Sequence, residues 1–83
     1  MLIPKNILEQ GEKPQWQGKI NDVDIEVYYD DVISKSSTMN HYAVFSEKGF
    51  HGWVCFGFTL LEIIAASKLE PCDYAFAAQT LDN

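Results

Sequence analysis

The stretch Gln15-Trp16-Gln17-Gly18-Lys19-Ile20-Asn21-Asp22-Val23-Asp24-Ile25-Glu26-Val27-Tyr28-Tyr29-Asp30-Asp31 is a hairpin written in side-chain alternation. Successive strand residues point to opposite faces. Val23, Ile25, Val27 and Tyr29 therefore share one side of the second strand, and Asp24, Glu26, Tyr28 and Asp30 share the other. With Asn21-Asp22 as a two-residue turn, the cross-strand partners match on both sides. Ile20 faces Val23, Gly18 faces Ile25 and Trp16 faces Val27, while Lys19 faces Asp24 and Gln17 faces Glu26. A slip of one residue would reverse every side chain, so this agreement specifies the register.

Outward from the hairpin, the second strand is expected to run to Ile33, followed by a polar connection without periodicity, Ser34 to Asn40. A second hairpin follows: His41–Ser46, a turn at Glu47-Lys48-Gly49, then Phe50–Phe58. Strict alternation puts Phe50, Val54, Phe56 and Phe58 on one face of that last strand and Trp53 and Cys55 on the other. A strand apolar on both faces is central or covered twice. Gly52 and Gly57 are expected to allow close approach of a neighbour.

Thr59-Leu60-Leu61-Glu62 has the form of a capping box and starts a helix to about Leu69 that is apolar nearly all round. After Pro71, the stripe Tyr74, Ala77, Ala78, Leu81 predicts a second short helix, with a terminal strand over Tyr74–Thr80 as the alternative. Residues 1–14 form a lead-in with one helical turn over Ile7–Glu9, capped by Asn6, with Gly11 just beyond and Pro14 as its stop. The expected fold is α+β: a four-stranded antiparallel sheet of two hairpins (about 15–20, 23–33, 41–46 and 50–58) with one or two C-terminal helices packed on one face. The 59–69 helix is expected on the Trp16/Val23/Ile25/Val27 side. Residues 1–83 make one small domain: the lead-in, two hairpins over 15–58, and a helical part over 59–83.

Composition limits the function classes. The net charge is −6, and all six basic residues are scattered lysines. Without arginine's planar fork or a basic cluster, direct binding to nucleic acid or to an anionic membrane is disfavoured. The N-terminus lacks a signal-peptide apolar region, and no stretch reaches the ~18 apolar residues of a membrane span. Cys55 and Cys72 sit among apolar neighbours, as in a reducing compartment. A cytoplasmic protein is expected.

Candidate chemistry fails on geometry. His41, His51, Cys55 and Cys72 include zinc-ligand types, but His51 and Cys55 would lie ~13 Å apart on one strand, too far to share a metal. Cys55 is in apolar surroundings that raise a thiol pKa, and Cys72 lies beside Glu70 and Asp73, which disfavour thiolate. Glu26, Asp30 and Asp31 could pair as acid and base only if one were pushed into an apolar pocket. No catalytic residue, metal or cofactor is expected, and the chain reads as non-enzymatic.

The acidic strand face remains. Charges at i and i+2 are ~6.6 Å apart, close to the separation of successive phosphates on one nucleic-acid strand. Asp22, Asp24, Glu26, Asp30 and Asp31 are therefore expected to occupy a basic, nucleic-acid-binding surface of a partner protein, with Tyr28 as an aromatic anchor between them. Such a protein acts as a stoichiometric inhibitor of the nucleic-acid-mimic type, comparable in size and charge to the small acidic proteins that phages and mobile elements direct against host defences. The alternative is a structural homo-oligomer, for instance a homodimer, whose acidic face only confers solubility. A small core and an apolar surplus over residues 50–66 favour self-association.

Overall fold

The computed structural model describes residues 3–10 and 13–82. Four antiparallel strands form one sheet in the order β1-β2-β3-β4: β1 Trp16–Ile20, β2 Val23–Asp30, β3 His41–Ser46 and β4 Gly49–Cys55. The first hairpin has the expected register, Trp16 opposite Val27 through to Ile20 opposite Val23. Its turn residues Asn21 and Asp22 both have positive φ, 51° and 64°, matching the right-handed twist of the flanking strands. The α+β architecture follows.

Both faces of the sheet are covered. Ile25, Val27, Val44 and Val54 form one layer with Ile63 and Ala66 of α3 (Leu60–Ser67), and Trp16, Ile20, Val23, Tyr42 and Phe58 pack around it. This is the face expected to receive the helix. Thr59 accepts from the Glu62 amide while Glu62 accepts from the Thr59 amide, so the capping box forms as read. The opposite face carries Tyr28, Ala43, Phe45 and Phe50, closed by Ile7 of α1 (Lys5–Glu9) and by Tyr74 and Ala77 of α4 (Tyr74–Asp82). The second C-terminal segment is thus a helix, and it takes the face that the alternation had left to solvent.

Three local departures have identifiable causes. β2 ends at Asp30 rather than Ile33, because the Asp30 side chain accepts from the Ile33 amide and caps the short helix α2, Asp31–Lys35. Asn6 does not cap α1; its N-cap position is Pro4, and the asparagine side chain is used elsewhere. α1 ends at Glu9 with Gln10 as its C-cap, ahead of the expected stop at Pro14, and Gly11 lies outside the described residues.

The third departure changes the faces of β4. Phe45 pairs with Phe50, but Val44 pairs with Gly52, so His51 is an extra residue in a bulge. The bulge reverses the parity of the strand. Phe50 therefore faces the α1/α4 layer with Trp53 packed beside it, while Val54 faces α3, instead of both lying on one side. Gly52 makes this possible with φ of +125°, and a Cβ there would stand 3.4 Å from a Leu69 methyl. Close approach is confirmed at Gly52; β4 ends at Cys55 rather than running to Phe58, because Gly57, with open space around it and φ of +77°, turns the chain there.

Candidate functional site

Along the second face of β2, burial rises steadily from the turn toward α2. Asp22 and Asp24 are exposed, Glu26 is half-buried, Tyr28 is 7% exposed and Asp30 is 0% exposed. The expected ladder of outward charges with Tyr28 as an interface anchor is therefore corrected at two positions. Tyr28 does have a core to fill: its ring meets Phe45 edge-on at 6.0 Å within the α1/α4 layer. Asp30 points into the molecule because α1, α2 and α4 converge on the end of β2.

Asp30 is the hub of a polar network. One carboxyl oxygen accepts from the Ile33 amide at 3.2 Å and from the Asn6 side chain at 3.3 Å. The other accepts from the Trp53 indole N–H at 3.1 Å and from the Tyr74 hydroxyl. Half-buried Asp31 accepts from Asn6 and from Gln10, each at 3.1 Å. A buried carboxyl group is tolerable when its lone pairs are filled by donors, and here the donors come from α1, α2, β4 and α4. The acid–base reading of Glu26, Asp30 and Asp31 loses its geometry, since Asp30 is saturated by structural donors. Asn6, Trp53 and Tyr74 carry no sequence signal for this role; they lie 24, 23 and 44 residues from Asp30.

Glu26 has a different partner. The Tyr28 hydroxyl donates to its Oε2 at 2.7 Å, so a buried ring holds a half-exposed carboxylate in place at the rim of the sheet. Tyr28 thus fixes the Glu26 carboxylate from within the core. Across the sheet Lys19 stands opposite Asp24 and Gln17 opposite Glu26. The exposed acidic surface is consequently the β1–β2 hairpin end, Asp22, Asp24 and Glu26, with Asp31 separated from it at the far end of the strand.

The two buried phenols make a pH prediction. Burial, reinforced by the Glu26 carboxylate, pushes the Tyr28 phenol from 10.0 up to about 12. Burial and its bond to Asp30 raise Tyr74 as well. A raised phenol pKa means that the folded state holds the proton more tightly than the unfolded chain. The stability from these protons is complete below pH 10 and is lost as pH climbs through about 12. The urea midpoint should fall across that window, and phenolate absorbance should show two of the four tyrosines ionising late, with unfolding.

The remaining candidate groups are separated. His51 is buried, with Nε2 at 2.6 Å from Ser46 Oγ and Nδ1 at 2.9 Å from the Leu69 carbonyl oxygen, which ties the bulge to the end of α3. His41 Nδ1 meets the Met39 carbonyl oxygen at 3.0 Å. Cys55 is half-buried and Cys72 exposed, both as free thiols. Cys72 precedes α4, and its amide donates to the Phe50 carbonyl. Asp73 caps α4 through the Phe76 amide. Among the described residues no three His, Cys, Asp or Glu side chains converge as a metal cage would require, and no helix is long and apolar enough to cross a membrane.

Comparison of the chain with family models and with curated proteins, and of its fold with solved structures, returns no match.

Proposed function

We propose that this protein is a non-enzymatic protein-binding module that acts stoichiometrically on a basic, nucleic-acid-binding partner, using the acidic end of the β1–β2 hairpin. The observation that carries the reading is the placement of Asp22 and Asp24 in solvent with Glu26 held beside them by Tyr28. Charges that are already oriented lose little freedom on binding. The i, i+2 spacing of Asp24 and Glu26 along β2, ~6.6 Å, suits a surface built for successive phosphates, with Asp22 in the turn just before them. The mimicry is shorter than a full strand, three carboxylates at one end of the sheet. Complementarity of this kind acts mainly on association rate and partner choice.

The test is a salt-resolved capture from nuclease-treated lysate, comparing the wild type with an Asp22→Asn, Asp24→Asn, Glu26→Gln variant. Glutamine at 26 keeps an acceptor for Tyr28, so the fold should be unchanged by circular dichroism. The reading expects a captured protein that is released by added DNA or RNA and lost from the variant, with association slowed at least tenfold at low salt. The same capture by both proteins, or capture indifferent to nucleic acid, would overturn it.

A further inference from the structure

The two edges of the sheet are treated differently. The β1 edge is polar, with exposed Gln15, Gln17 and Lys19 alternating along it. Charged and polar residues of this kind blunt an edge against pairing. The β4 edge has no such protection: residues 49–58 contain no lysine, carboxylate or proline. At its start the edge is closed, since the Phe50 carbonyl is taken by the Cys72 amide and the bulge lies at His51. Beyond that point it is open. Phe56 donates inward to the Asn40 carbonyl at 2.8 Å, and antiparallel alternation then turns the N–H and C=O groups of Cys55 and Trp53 outward. Neither has a backbone partner on that side among the described residues.

A groove of about 450 Å³ runs beside this edge, lined by Trp53, Cys55, Ala65 and Leu69, with Glu62 as its one charged residue. Glu62 is engaged by its own helix cap. Leu69, which lines the groove just past the C-cap of α3, is 56% exposed, and Phe56, next to Cys55 in sequence, and Leu61, one turn before Ala65 on α3, are 69 and 78% exposed.

We infer that β4 is the contact edge of a symmetric dimer, in which a second copy of the chain pairs antiparallel with residues 52–56 and covers the groove beside them. The free segment is centred on Val54, so a twofold axis there places Trp53 opposite Cys55 of the second copy and the reverse, satisfying all four outward groups at once. An uncharged edge beside an apolar groove is complementary to itself, and residues 49–58 bring no carboxylate to a meeting of two chains of charge −6. The exposed part of Phe56 offers roughly 100–170 Å² per copy at ~150–250 Å² for an aromatic side chain, and exposed Leu61 and Leu69 add to it. Trp53, Cys55, Ala65 and the edge backbone bring this toward the ~800 Å² per partner of a standard interface. The dimer's continuous sheet carries the two acidic hairpins at its outer ends.

The experiment is the solution mass by light scattering on a sizing column at high micromolar protein, under reducing conditions. The wild type should run at about 19 kDa, twice the chain mass of 9.4 kDa. Leu61→Glu sets like charges against each other from an exposed helix position, and Cys55→Pro removes an outward amide where a lone edge strand tolerates proline. Each should give a monomer with wild-type circular dichroism. Should Cys55→Pro misfold, Leu61→Glu still decides. A wild type at 9.4 kDa, or a dimer that survives Leu61→Glu, overturns the inference. The triple hairpin variant should remain dimeric, so failure of either proposal is seen separately from the other.

Discussion

Asp30→Ala should destabilise the fold by about 3–5 kcal/mol, because it strands several buried donors at once. The Trp53 indole N–H, the Tyr74 hydroxyl, an Asn6 amide hydrogen and the Ile33 amide would all lose their acceptor. Each unsatisfied buried donor costs ~1–3 kcal/mol, and the sum is less than additive because relaxation and water recover part of it. A domain of 83 residues has a total stability of roughly 4–12 kcal/mol at ordinary values per residue, so the variant should be largely unfolded on warming. Asp30→Asn keeps one acceptor oxygen and should fall between the two. Urea denaturation checks the series. Asp24→Asn, on the same face of the same strand but in solvent, should change stability by less than ~0.5 kcal/mol. Equal and small effects at both positions would mean that Asp30 is not the junction of α1, α2, β4 and α4.

Phe45→Ala should cost a similar amount, about 3–5 kcal/mol. Phe45 is fully buried, with its ring 6.0 Å from Tyr28, 5.5 Å from Phe50 and 6.5 Å from Tyr74. Its removal opens a cavity in the layer that fastens α1 and α4 to the sheet. The loss should therefore be polarised: the near-ultraviolet circular dichroism of the aromatic cluster should collapse, and the Tyr74 phenol should ionise at lower pH. Phe76, on the exposed side of α4, provides the control. Phe76→Ala should be nearly neutral, within ~0.5 kcal/mol, although the two residues are chemically identical. Equal costs at 45 and 76 in the urea midpoint would contradict the assignment of the second layer.

Local and periodic features were legible in the string of residues alone. Cross-strand pairing across Asn21-Asp22, the capping box at Thr59 and the 74–81 stripe rest on neighbours a few residues apart, whose chemistry is visible in the string. Alternation also placed Asp24, Glu26, Tyr28 and Asp30 correctly on a common side of β2. Alternation separates two sides of a strand; which side meets water depends on what else the chain lays there. Only the tertiary structure decided that. α1 and α4, from opposite ends of the chain, fold over the side that held the carboxylates, converting Tyr28 into core and Asp30 into a hub while leaving Asp22 and Asp24 in solvent. The bulge at His51 was equally out of reach, because one extra residue in a ladder is recognised only against the strand it pairs with, and it reversed the faces assigned to Phe50 and Val54. The open edge at β4 follows from strand order, a property of the whole sheet that no local pattern encodes.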